Sequence, residues 1–301
     1  MKNPNPLMLV RIAQGDAYGM CCEYIKLPRD QEFHDKALKF EKYEKHPTHF
    51  IEPGKYTDDT QMSIAVAEVL VNQQVGPLHS QELVRKWFSE SFYDCFQRDK
   101  RHGYSRGFQE ILERSKSAEH MLTLLKPTSD KNGAAMRSVP LGVLANVNHV
   151  KYVANIQAKI THDTLGGTSS SLIVALMSHY ALHTDLPLQD MQGWLRKNLP
   201  AMPEHFLAPW PGGPVEGPEV GVVTARAVMT ALMQEQSLLD VARRVITWGG
   251  DTDSVLAIAW GIASTRMKEE LPPFFATHLE GGRYGHRFLA ELGEKLMAKY
   301  A

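Results

Sequence analysis

Two acidic clusters limit what this chain can fold into, because each stands directly before a helix-forming run with almost no polar face. Thr57-Asp58-Asp59-Thr60 leads into Ile64, Val66, Ala67, Val69, Leu70 and Val71. Asp251-Thr252-Asp253-Ser254 leads into Val255, Leu256, Ile258, Ala259, Trp260 and Ile262. A helix that is apolar all round belongs in the interior, so each run carries its acids toward the core. Thr and Asp are good N-caps, and acids in a first turn suit the helix dipole. Capping needs one side-chain acceptor per helix, however, and each start here offers two carboxylates plus hydroxyls. Four carboxylates meeting at one point would repel each other and lose hydration unless a cation sat between them. Carboxylates and hydroxyls are also the oxygen ligands that hard divalent cations choose. If the two clusters meet, the sequence predicts a metal enzyme.

The remaining periodicity predicts an all-α chain. Apolar residues recur at helical spacing in twelve segments from Leu7–Cys22 to His286–Tyr300, among them Gly107–Leu125 and Ala134–Asn146. Alternating strand patterns are absent apart from short ambiguous runs such as Val220–Val223. With 301 residues, 43% of them hydrophobic and 22% charged, the chain has ordinary globular composition and enough length for a large core. The expectation is one compact orthogonal helical bundle, a single domain over residues 1–301. Three segments interrupt the helical rhythm. Arg29–Lys55 is highly charged and carries Pro47 and Pro53, which predicts an exposed loop or insertion. Phe206–Pro218 has four prolines and three glycines, which excludes a helix and a central strand; it is a functional rim or a linker, and Trp210 favours the rim. Glu280–Gly285 is a glycine-rich turn before the last helix.

Composition also excludes some classes. A formal net charge of -1 gives no electrostatic case for nucleic acid or an acidic membrane as the main partner. Cys21, Cys22 and Cys95 form no C-x-x-C pair, and they are odd in number, which argues against a disulfide framework or a zinc site. The N-terminal residues lack a continuous apolar stretch, and no segment reaches membrane-spanning length. The expected location is cytoplasmic.

Several short elements add candidates. Gly249-Gly250, just before the second acidic cluster, allows a sharp turn and a close backbone approach, or simply stops the preceding helix. Asn132-Gly133-Ala134-Ala135-Met136-Arg137 opens a helix with small residues, which leaves backbone N–H groups free for a phosphate or permits a tight helix contact. His162, followed by a run of glycines and hydroxyls, can ligate a metal, bind phosphate or cap a helix end. Gly15 and Gly19 within the first helix suggest close packing, and Glu23, one turn beyond Gly19, can face the same cavity as the acids.

Taken in order, Gly-Asp-Ala-Tyr-Gly, Thr-Asp-Asp-Thr-Gln-Met, Asn-Gly-Ala-Ala-Met-Arg, Ile-Thr-His and Gly-Gly-Asp-Thr-Asp-Ser resemble the motifs of the ADP-ribosylglycohydrolases. The resemblance runs from Gly15 to Ala263, most of the chain. The resemblance implies an all-α fold with two divalent cations, Mg2+ or Mn2+, in a central cleft. By that likeness Thr57, Asp58 and Asp59 hold metal from one side, and Asp251, Asp253 and Ser254 from the other. Ser254 stands where the family more often has Thr. Glu23 matches a family glutamate beside the metals, and Asp59 or Glu23 becomes the general base. Asn132, Gly133 and His162 would lie along the ADP-ribose. The implied partner is an ADP-ribosylated protein or a small-molecule ADP-ribose conjugate, with nucleic acid entering only as an ADP-ribosylated end. Some arginine-specific members carry an extra acid in the stretch aligned with His102–Phe108, and none is present here.

Two other readings compete. An HD-type metal phosphohydrolase would use His162-Asp163, but it leaves both acidic clusters unexplained. A non-catalytic ADP-ribose-binding regulator would keep the fold without turnover. A terpenoid-synthase-like reading needs Asp-Asp-x-x-Asp, and Met62 occupies the last position.

Overall fold

In the computed structural model, which describes residues 1–301, helices carry the whole architecture. There are fifteen α-helices, four 3-10 turns and no strand; the isolated bridges Thr128↔His162 and Val215↔Gly250 are the only β-type pairings. No helix is long and apolar enough to cross a membrane. One continuous apolar core of 84 buried side chains runs from Met8 to Met297, so residues from both ends of the chain share it.

At its centre the first helix, Met8–Gly19, lies along Thr252–Ala263. The glycines of the first helix make this approach possible. A β-carbon on Gly15 would stand 2.5 Å from the Leu256 carbonyl oxygen, and one on Gly19 would stand 2.5 Å from Asp253 Cα. Glycine inside a helix costs roughly 1 kcal/mol against alanine; here the cost is offset by bringing the first helix onto the second acidic cluster. Asp58–Asn72 packs against the first helix from another side. Asp58, Asp59 and Asp253 lie in the first turns of their helices, with Thr57 and Asp251 at the N-cap positions.

Several sequence expectations change. Gly107–Leu125 is two helices, Arg106–Arg114 and Ala118–Leu124, because Ser117 accepts from His120 N–H and starts the second one afresh. Ala134–Asn146 is a short helix, Gly133–Met136, followed by a 3-10 turn over Val139–Val143; Pro140 removes the donor that a continuing α-helix needs. Val220–Val223 opens the helix Val220–Gln234. Arg29–Lys55 is only partly an exposed loop. It contains the helix Gln31–Ala37, and Phe40 and Tyr43 are buried against Tyr18, Phe274 and Phe275. Its charges face outward, the buried Asp30 apart, while these aromatic rings anchor it. The cysteines are unpaired and buried.

Candidate active site

Asp16, in the middle of the first helix, organises the first acidic cluster. Its carboxylate is fully buried and accepts four hydrogen bonds from the start of the Asp58–Asn72 helix. Thr57 N–H donates at 2.9 Å, Thr57 Oγ1 at 2.9 Å, Thr60 N–H at 3.1 Å and Thr60 Oγ1 at 2.6 Å. Burial pushes Asp16 up to about 6 even against these four donors. A lone acid in an apolar helix gave no sign of this role; its only signal was its place between Gly15 and Gly19.

The second cluster is held by several segments. Asp251 N–H donates to the Val215 carbonyl at 2.9 Å, and Val215 N–H donates to the Gly249 carbonyl at 3.0 Å. Gly250, at φ +80°, leaves no room for a side chain beside Val215. The Thr252 hydroxyl donates to the Gly19 carbonyl at 2.7 Å. Asp251 Oδ2 accepts from the Tyr24 hydroxyl at 3.0 Å and from Asn132 Nδ2 at 3.1 Å.

The clusters meet across a cleft of about 630 Å³. Glu23, Asp58, Asp59, Asn132, Gly133, His162, Asp251, Asp253 and Ser254 all line it, as do Tyr24 and Arg137, which sequence reasoning had not singled out as site residues. Thr57 does not line it; its hydroxyl is turned to Asp16 beneath the cluster. The rim expected from Phe206–Pro218 reaches the cleft only through Gly217, whereas Trp210 lies beside Arg226 and away from it.

The carboxyls crowd one another. Asp58 is held well above the usual carboxylate range by burial, then by Asp16 and Glu23. Asp59 is raised by burial and by Asp58, Asp16 and Asp251, with the Ser254 hydroxyl pulling the other way. Asp253 is raised by burial and by Glu23, Asp251 and Asp59. Burial, with Asp251 and Asp16, pushes Glu23 up to about 8. Asp59 Oδ1 and Asp253 Oδ1, one from each cluster, are buried with no hydrogen-bond partner. These two oxygens meet no donor and stand among negative charges, an environment that suits a cation. No three acidic, His or Cys side chains stand in a closed ligating arrangement, so the carboxylates surround the cleft without forming a finished coordination shell.

His162 is held as a neutral ring. Arg137, fully buried with no carboxylate partner, donates to Gln157 Oε1 at 2.5 Å and to Thr161 Oγ1 at 2.8 Å. Thr161 Oγ1 also shares a hydrogen bond with His162 Nδ1, 2.6 Å away. Nε2 has no hydrogen-bond partner in the protein, and His162 belongs to the cleft lining. Burial, reinforced by the Arg137 charge, pushes His162 down to about 3, so the ring stays neutral. The ring edge lies against Gly133. Asp163 points elsewhere: it is exposed and pairs with Lys159 at 3.4 Å. An HD-type metal pair at His162-Asp163 is therefore absent.

With this geometry in view, the sequence model of the ADP-ribosylglycohydrolase family matches residues 8–301. The chain belongs to the ADP-ribosylglycohydrolase family. Members of this family are hydrolases of ADP-ribose linkages and are generally dependent on divalent metal. A solved structure described as an ADP-ribosylglycohydrolase-related protein complex shares the fold with a TM-score of 0.72 at 20% identity, covering 98% of this chain and 96% of its own. No curated protein matches the chain at a significant level.

Proposed function

We propose that the cleft hydrolyses the glycosidic bond at C1″ of an ADP-ribose conjugate, using two divalent cations, Mg2+ or Mn2+, and residues 1–301 as one catalytic unit. The observation that carries this reading is the pair of orphaned buried carboxylate oxygens, Asp59 Oδ1 and Asp253 Oδ1, on opposite clusters that share one cleft. Asp58, Asp59, Asp251, Asp253 and Ser254 would hold the cations, with Thr57 bracing the first cluster from beneath. When bound, these ions would supply Lewis acidity and lower the pKa of a bound water.

The chain's own residues account for the rest. His162 Nε2 is free to hydrogen-bond the ADP-ribose, and Asn132 and Gly133 line the same wall. Lys126 and Lys131 line the cleft and supply positive charge for the diphosphate. Water adds at C1″ as the bond to the acceptor N or O breaks, through a transition state with oxocarbenium character. Asp59 or Glu23 takes the proton from the water, and the departing N or O gains a proton. Glu23, held up to about 8 in the cation-free cleft, is able to carry a proton at neutral pH. Conjugates on a protein, a small molecule or a nucleic-acid end all present this same bond.

The test is release of free ADP-ribose from ADP-ribosyl-arginine, ADP-ribosyl-serine and O-acetyl-ADP-ribose with Mg2+, Mn2+ or EDTA. Metal-dependent release from any of them supports the reading and names the acceptor. Binding of ADP-ribose with no release from any conjugate points instead to a regulator on the same fold.

A further inference from the structure

A second cavity, of about 550 Å³, opens behind the wall that carries Asp58. Two short stretches form that wall, Tyr56-Thr57-Asp58 and Arg101-His102-Gly103. Asp58 and Gly103 line the cleft, while Tyr56, Arg101 and His102 line the second cavity. Three residues of extended chain span about 10 Å. Tyr56 and His102 are therefore within about 10 Å of Asp58 and Gly103, and the two cavities adjoin across this wall.

Its charge is unbalanced in one direction. Every carboxylate in it is already engaged: Glu52 pairs with Lys45 at 3.0 Å, Asp99 with Arg101 at 2.7 Å, and Glu280 also with Arg101. Lys55, Lys100 and Arg283 line the same cavity, are exposed, and make no ion pair. Solvated lysines are common on any surface. These three are gathered in one concavity, on a chain of net charge -1, and they outnumber the single carboxylate charge left over where Arg101 is shared between Asp99 and Glu280. The floor is firm, because the Arg101 guanidinium lies 3.6 Å from the Tyr56 ring centroid. At the edge Phe50 is 94% exposed, a large apolar ring with no role in the core.

Unpaired cations beside an open aromatic face suit a chain of phosphates interleaved with flat rings. An acidic peptide would use the cations and leave Phe50 without a partner. We propose that this shelf holds a single-stranded nucleic acid, its phosphates on Lys55, Lys100 and Arg283, a base on Phe50, and its ADP-ribosylated end in the cleft. This inference rests on the ADP-ribose reading of the cleft. It reconciles a chain with no overall basic character with a nucleic-acid substrate, because only one end of the strand needs to be held.

The experiment measures binding of an unmodified fluorescent DNA strand of about ten nucleotides, a length within single-strand site sizes, by anisotropy at low salt. The expected result is a loss of at least about 30-fold in a Lys55→Glu, Lys100→Glu, Arg283→Glu variant. The slope of log affinity against log salt should fall by about 2, the share of three phosphates on a single strand. Phe50→Ala should cost about tenfold, and a glutamine triple variant should lie between wild type and the glutamate triple. Turnover of O-acetyl-ADP-ribose should be unchanged in the triple variant, while KM for an end-ADP-ribosylated strand rises about tenfold at constant kcat. Failure of the strand to bind, or binding that the triple variant leaves intact, overturns the proposal. So does equal competition by polyglutamate together with a silent Phe50→Ala, which would assign the shelf to an acidic protein. Turnover of the small conjugate without strand binding overturns the shelf alone. Shelf-dependent strand binding with no ADP-ribose release from any conjugate keeps the shelf and overturns the cleft reading.

Discussion

The two acidic helix starts look alike in sequence but are built in opposite ways. Thr57–Thr60 hangs from a single buried carboxylate, Asp16, which takes four donors from it. Asp251–Ser254 is held by Val215, Gly19, Tyr24 and Asn132, each from a different segment, with one or two hydrogen bonds apiece. One side concentrates its support and the other distributes it. The first should collapse under one substitution, and the second should yield only by degrees.

The largest expected effect treats the two sides as equal. Asp59→Asn and Asp253→Asn each turn a carboxylate that carries an orphaned oxygen into a neutral amide, and each should lower ADP-ribose release on the order of 10³-fold, as loss of a key electrostatic group does. Neither should unfold the protein. Both carboxyls are raised by burial and by their neighbours, so neutralising one relieves desolvation and repulsion, and Tm in EDTA should rise. A variant that keeps activity, or melts lower in EDTA, would show that these acids do not face each other across a cation site.

Next comes the asymmetry itself. Asp16→Ala strips the acceptor from four buried donors at once, and unmet buried groups cost about 1–3 kcal/mol each before relaxation. A loss of about 4 kcal/mol by urea denaturation is expected, with activity falling alongside because Asp58 and Asp59 lose their fixed helix start. Asn132→Ala removes one 3.1 Å bond to Asp251 and should cost about 1 kcal/mol. Equal losses in the two variants would erase the contrast.

How much of this was legible in the sequence follows the same divide. The helices could be read because apolar residues recur at 3.6-residue spacing in the chain itself. The break inside Gly107–Leu125 could not, because Ser117 acts as a cap only once the chain has turned. The acid clusters could be read because their carboxylates exceed what capping needs. Asp16 could not, because one acid in a helix resembles any polar residue and its donors lie 41 and 44 positions away. Tyr24 and Arg137 were hidden for the same reason: their roles lie in partners such as Asp251 and Thr161, distant in sequence. Phe40 and Tyr43 were masked by the charges around them, which face solvent while the rings turn inward.

The pH dependence sharpens the comparison by isolating one group between the clusters. A carboxyl raised on folding binds its proton more tightly folded than unfolded. Its contribution is complete below the ordinary value and fades as pH climbs through the folded one. For Glu23 that window runs from 4.5 to about 8, and for Asp16 from 3.8 to about 6. His162 has the opposite sign: it is held near 3 against an ordinary 6.5, so its contribution grows as pH rises to 6.5 and is then constant. Between pH 6.5 and 8.5 the decline in Tm of the EDTA-treated protein therefore belongs mainly to Glu23 and the buried acids around it. Saturating Mg2+ or Mn2+ should flatten it, and a Glu23→Gln variant should reduce it. A flat profile without metal would mean that the acids are not crowded.

The smallest effect tests distribution on the second side most directly. Tyr24→Phe deletes one hydroxyl donor, 3.0 Å from Asp251 Oδ2, and nothing else. The backbone bond from Tyr24 N–H to the Gly250 carbonyl, at 2.8 Å, remains, as does Asn132 on the same carboxylate oxygen. A loss near 1 kcal/mol or below, with activity within about tenfold of wild type, is the expected outcome. Combining Tyr24→Phe with Asn132→Ala leaves Asp251 Oδ2 with neither of its side-chain donors. If support is shared, the double variant should lose more than the sum of the singles, a coupling that residues on one network show at 0.5 kcal/mol or more (about 0.5–3). Strict additivity would mean that Asp251 is held by its backbone bond to Val215 alone, and that the second cluster, like the first, depends on a single support.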